Sequence, residues 1–233
     1  AFDDAPQGWR DGMAGPFWQR AAETPPPAPV EMPVQRVAET LASPPRSAAM
    51  PATLPAFLDW LAQDPAQPEA TWDGAMILPP AIEQARLLII VEMPMAGASD
   101  TASLLDPAQR KFLDAMLASI GLKPDDAAIT PLAARRPPGG LLDEATLTTL
   151  AAGMTHYLGL ARPGAAILLG DRTSRALIGA QGQAAGQLLR SVHHASGMVD
   201  AVALAGLDLL MNRPAAKAIS WQSLGLVHGK LNG

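Results

Sequence analysis

The chain has 233 residues and not one cysteine. That excludes disulfides, a thiol nucleophile, and any zinc or iron–sulfur centre held by thiolates. Aromatic residues are only 4% of the chain, with a single tyrosine. Charged residues are 17%, and the net charge of -5 leaves no surplus of Lys and Arg. A protein that coats nucleic acid by bulk charge is thereby excluded, because phosphate binding needs clustered cations. A local basic cleft is still compatible with that charge. No apolar run approaches the ~18 to 20 residues of a membrane helix, so no membrane role is expected. The four histidines, at 156, 193, 194 and 228, show no metal-ligand spacing with acids. The stretch "GAQGQAAGQ" lacks the Gly-x-Gly-x-x-Gly and phosphate-loop patterns. No cofactor is expected. The chain opens on Ala with no basic-then-apolar leader, which reads as a processed or trimmed chain whose targeting is not readable. The composition fits a cytoplasmic bacterial protein.

Hydrophobic residues, by contrast, make up 48% of the chain, enough for a sizeable core. Proline and alanine crowd the first part. "ETPPPAPVEMPVQ" and "LASPPRSAAMPATLP" lose backbone donors and block helix, so Glu23 to Thr53 reads as an extended linker. Residues 1–53 are expected to be a tail and 54–233 a folded domain. Two apolar islands interrupt the early sequence. "GWRDGMAGPFWQR" carries Trp9, Phe17 and Trp18, aromatic anchors suited to a protein partner or to the chain's own domain. "LPAFLDWLAQ" sets Leu54, Phe57, Leu58 and Leu61 at helical spacing, with Thr53 as a candidate cap.

From Leu87 the punctuation is regular. Strands are predicted at Leu87–Val91, Ala127–Leu132, Ala165–Leu169 and Val199–Leu204. Helices are predicted from Pro107 to Gly121, from Asp143 to Ala161, from Gly170 to Gly179, as a short piece ending at Arg190, and from Pro214 to Leu224. Short apolar strands alternating with helices predict an α/β fold with a four-stranded, mostly parallel sheet covered on both faces. Ligands in such sheets sit off the carboxyl ends of strands. This selects Glu92–Met95, Thr130–Arg136, Gly170–Arg172 and Ala205–Asp208.

Four stretches carry a resemblance: "LLIIVEMPMAG", "KFLDAMLASIGLKPDDAAITPLAARRPP", "YLGLARPGAAILLGDRTSRALIG" and "LLMNRPAAKAISWQSL". In order and spacing they resemble the uracil-DNA glycosylase superfamily, nearest its family 4 enzymes, over about 140 residues. The resemblance implies a three-layer α/β/α fold, base excision from DNA, and DNA as partner. Glu92, Pro94, Arg136, Pro137 and Pro138 match the family's motif residues. The rest departs. Val91 and Met95 replace the glycines that let backbone approach uracil, and Leu105 falls near the stacking Phe. Pro131 stands for the Asn that reads the uracil edge, and Ala205-Gly206 for the catalytic His-Pro. Arg135 and Leu150 occupy two of the cluster-cysteine places.

Glu92 is the candidate catalytic residue, or else a carboxylate that satisfies backbone amides or an arginine. Pro94, Arg135, Arg136, Arg172, Arg190, His193 and His194 are the candidate contacts to substrate or DNA. Each also has an ordinary reading: Arg135–Arg136 as a solvated loop pair, and the histidines as an exposed loop before the last strand. Asp171 is expected to cap its helix. Two functions are open. One is a divergent, weak or inactive uracil-DNA glycosylase. The other is a non-enzymatic interaction module, for which a small accessory subunit of the bacterial clamp loader, similar in fold, is a precedent.

Overall fold

The structure, a computed structural model, describes residues 49–179 and 188–232. The tail motif with Trp9, Phe17 and Trp18, and the Gly/Gln-rich stretch from 180 to 187, lie outside the described residues. The described part belongs to one compact unit that begins at Ala48.

A five-stranded sheet forms its centre, in the order β2-β1-β3-β5-β4. The strands are β1 (Leu87–Val91), β2 (Ala127–Pro131), β3 (Ala166–Leu169), β4 (Leu189–His194) and β5 (Gly197–Leu204). The first three and β5 are parallel. Leu87 pairs with Ala127, Val91 with Pro131, Leu88 with Ala166, and Ala166 with Ala201. All five side chains of β1 are buried, as expected of a central parallel strand covered on both faces.

The fifth strand corrects the expected four. Leu189–His194 pairs antiparallel with β5, from Leu189↔Val202 to His194↔Gly197. The loop between them is two residues, Ala195–Ser196. The physical reason for the difference is exposure. In "LRSVHH" Val192 is the only buried residue, so an edge strand of this kind carries neither an apolar run nor clean alternation.

Alternate residues along the strands feed two cores. Leu88, Ile90, Ala166, Leu168, Val192 and Ala201 face one side. They meet α1 (Leu54–Gln63), α3 (Glu144–Ala161) and α4 (Asp171–Ile178). Leu87, Ile89, Val91, Ile167, Leu169 and Val202 face the other. They meet α2 (Pro107–Ser119), α5 (Leu207–Asn212) and α6 (Pro214–Asn232). Each buried Leu, Ile or Val side chain among these stabilises the fold by roughly 1.5–3 kcal/mol relative to exposure.

Local chemistry sets the helix ends. The Asp106 carboxylate accepts from the Gln109 amide and the Asp106 amide donates to the Gln109 side-chain oxygen, a reciprocal cap ahead of Pro107. Asp143 caps α3 through the Thr146 amide at 2.7 Å. Thr53 precedes α1 without a side-chain cap. The last helical region is longer than expected and is broken in two. Pro214 pushes Arg213 to extended backbone (φ -125°, ψ 108°), which ends α5 and lets α6 start in a new direction.

Candidate functional site

The carboxyl ends of β1, β2, β3 and β5 converge on one rim of the sheet, and the site is built there. The β1–β2 ladder runs on past both strands. Leu132 donates its amide to the Val91 carbonyl at 2.7 Å, and Ala133 to the Glu92 carbonyl at 3.0 Å. This fixes the backbone of Glu92 and leaves its side chain 28% exposed at the strand tip.

Arg172, in the first turn of α4, comes to meet it. Its Nη1 stands 3.3 Å from Glu92 Oε1. The contact is one of charge, without the alignment of a hydrogen bond. Its Nη2 donates to the Leu142 carbonyl. The guanidinium therefore bridges the end of β1 and the loop ahead of α3. Gly170 makes this possible. Its φ of +98° turns β3 sharply into α4, a conformation that side chains resist, and its amide donates to the Leu204 carbonyl at 2.9 Å. Asp171 is the first residue of α4 rather than its cap. Gly170 holds the cap position, and the Asp171 carboxylate pairs with Arg175 one turn on.

Two adjoining cavities of about 380 and about 510 Å³ lie beside this rim and share Met95 to Ala98 as a common wall. The smaller is also lined by Asp73, Gly74, Arg136 and Gly140, and the larger by Asp100, Leu105 and Asp106. Arg136 donates from Nη1 to the Pro94 carbonyl at 2.9 Å. It packs so closely on Gly140 (φ +68°) that a Cβ there would lie 2.7 Å from its Nη2. The charged lining is thus three aspartates and one arginine. Asp100 is itself a cap, and its hydrogen bonds from the Ser103 hydroxyl and amide hold its carboxyl below the usual range.

Arg135 points elsewhere. Its Nη1 donates to the Trp72 carbonyl at 2.8 Å. Leu150 is buried in the core of α3. Beside it, and lined also by Phe57, Glu69 and Tyr157, is a cavity of about 20 Å³, room for one water-sized molecule. With no thiolate in the chain and a space this small, these residues do not fit an iron–sulfur cluster.

The remaining candidates lie away from the rim. His193 and His194 are on β4 and not in a loop, opposite Met198 and Gly197 at the start of β5. Because β5 points its far end, Leu204, at the rim, the pair sits at the opposite end of the sheet, ~20 Å off at 3.3 Å per residue. His194 contacts Ser196, and burial together with Arg162 and His193 lowers its proton affinity. Arg190 is opposite Ala201, on the edge strand. Glu92, Pro94, Arg136 and Arg172 are thus brought to the rim, and Arg135, Arg190 and both histidines are not.

One residue of consequence is missing from the sequence reading. Glu69, in a single 3-10 turn (Pro68–Thr71), is 1% exposed. Its Oε1 accepts from the Ala134 amide, and Oε2 has no hydrogen-bond partner among the described residues. Burial pushes its carboxyl up to about 7 against the opposing pull of the Ala134 and Arg135 amides and the Arg135 charge. Within a Pro-rich stretch a lone Glu signals an exposed linker. The only hint was the small apolar pair Ile77–Leu78 downstream, which marks a segment that packs.

Neither protein-family models nor curated proteins give a match to this chain.

Proposed function

We propose that this chain is a divergent member of the uracil-DNA glycosylase superfamily whose rim has passed from hydrolysis to interaction. The resemblance over Leu87–Leu224 supplies the family, and the α/β sheet with helices on both faces is compatible with it. One observation carries the loss of chemistry. Glu92, the only motif carboxylate at the rim, has the Arg172 guanidinium 3.3 Å from its Oε1. The positions assigned to the uracil-reading amide and the catalytic imidazole hold Pro131 and Ala205-Gly206. Losing a single electrostatic donor costs ~100 to 1,000-fold in rate. Losing two leaves little.

The lining of the cavities supports interaction rather than DNA channelling. Asp73, Asp100 and Asp106 outnumber Arg136 there, and a phosphate backbone is repelled by such a lining. Met95 and Leu105 supply apolar surface suited to a protein partner. The aromatic motif of Trp9, Phe17 and Trp18 is the second contact we assign to that partner.

A second reading keeps residual glycosylase activity, and the partial exposure of Glu92 at a strand tip favours it. In that reading Arg172 moves aside and Glu92 orients the water that attacks the N-glycosidic bond of an extruded base. Uracil release from single- and double-stranded oligonucleotides separates the two. Interaction predicts no release at enzyme excess and no DNA binding at low salt. Hydrolysis predicts release that Glu92→Ala abolishes.

A further inference from the structure

The segment from Pro68 to Ile77 lies across the loop that follows β2 and grips it at three points. Ala134 donates its amide to Glu69, Ile77 donates its amide to the Ala134 carbonyl at 2.7 Å, and Arg135 donates to the Trp72 carbonyl at 2.8 Å. Directly after Trp72, the same segment forms a wall of the smaller rim cavity through Asp73, Gly74 and Ala75. The buried end of this strap is a carboxyl with one oxygen bonded and the other bare. A neutral carboxyl tolerates that environment, whereas an ionised one has lost the water that both oxygens need.

Few other charges bear on the group. Arg135, on the gripped loop, is the cation that acts on Glu69. From α3 the cavity receives Tyr157, whose hydroxyl donates to the Pro80 carbonyl and whose ionisation burial suppresses. Alongside it α3 contributes Thr149, Leu150 and Met154, α1 presents Phe57 and Leu61, and the chain beyond Ile77 presents Pro79. None of these carries charge.

We propose that Glu69 is a proton-operated latch: the neutral carboxyl holds the 68–77 strap against the loop, and its ionisation releases the strap and with it one wall of the rim cavity. The released carboxylate reaches water, where it titrates like an ordinary Glu. The closed form holds its proton to about 7. By linkage the opening equilibrium therefore rises with pH, by roughly 70-fold between pH 5 and 8.5. The inference rests on the strap's geometry and holds whether or not the rim hydrolyses anything.

The test uses the full chain, isotopically labelled, by NMR. The Glu69 side-chain carboxyl carbon is expected to titrate with a midpoint near 7. After correction for intrinsic exchange, protection of the Ala134 and Ile77 amides is expected to fall roughly 70-fold from pH 5 to 8.5. It should stay below that of the Leu88 amide, which is bonded to the Ala165 carbonyl in the sheet. In Glu69→Gln the pH dependence should vanish. A Glu69 midpoint below 5, or protection flat with pH, overturns the latch. Protection equal to that of Leu88 also overturns it, because only whole-chain unfolding would then expose Glu69. Should Glu69→Gln not fold, the native chain's titration and exchange decide alone.

Discussion

Glu92 and Glu69 are two carboxyls within one small region, and their environments push them to different roles. Glu92 has partial solvent access and a cation at 3.3 Å, which suits a structural link between β1 and α4. Removing its partner with Arg172→Ala deletes that attraction and the bond to the Leu142 carbonyl. Because both side chains are partly exposed, the expected cost is modest, ~1 kcal/mol by urea unfolding. Glu69 behaves oppositely. Its folded-state carboxyl keeps a proton to about 7, while the unfolded chain releases it near the ordinary 4.5. Between those values the folded state binds more protons, so stability falls as pH rises through that window, with the penalty absent below it and complete above it. Relative to Glu69→Gln, the native chain is expected to lose up to about 3 kcal/mol between pH 4 and pH 8, the full loss applying if the strap stays closed and a smaller one as it opens. Matched urea titrations at the two pH values check it. Of these two residues only Glu92 was legible in sequence, because an apolar run ending in a carboxylate is a local pattern. The burial of Glu69 is made by a strap and a loop 65 positions apart, and no local pattern records such a meeting.

At the scale of elements, strong caps and continuous apolar runs were readable and weakly buried pieces were not. The Asp106–Pro107 start, the Asp143 start and the three central strands lie close to their expected places, because each is fixed by residues within one turn or one run. Asp106→Ala removes the side-chain half of its reciprocal cap, the acceptor for the Gln109 amide, and is expected to cost ~1 kcal/mol in thermal or urea unfolding. The β4 edge strand escaped notice because its pairing with β5, rather than burial, holds it. Its signal was the short connection His194-Ala195-Ser196-Gly197, with Gly197 at φ +146°. That strand also decides the histidine question. Antiparallel pairing carries His193 and His194 away from the rim, so His193→Ala and His194→Ala together should leave any rim activity or binding unchanged, as measured by the same oligonucleotide and partner assays.

Across the whole molecule, the architecture places a cleft where a doubly covered parallel sheet always places one, and the residues on it are then free to diverge. The family resemblance predicts a fold more firmly than a reaction. Its motif spacing follows strands and turns, while the positions that would read and expel uracil under the proposed assignment are single ones, Leu105, Pro131 and Ala205. A net charge of -5 and an aspartate-rich cavity lining extend the same argument to DNA affinity. Binding to a fluorescent oligonucleotide at physiological salt is expected to be weaker than the ~10⁻⁴ to 10⁻⁶ M typical of non-specific DNA-binding proteins.

The central claim, that the rim no longer hydrolyses, is tested most directly by uracil release under single-turnover conditions with protein in excess over a uracil-containing oligonucleotide. The account predicts no release above the protein-free rate, and no difference between the native chain and Glu92→Ala. Release by the native chain that Glu92→Ala abolishes would contradict it.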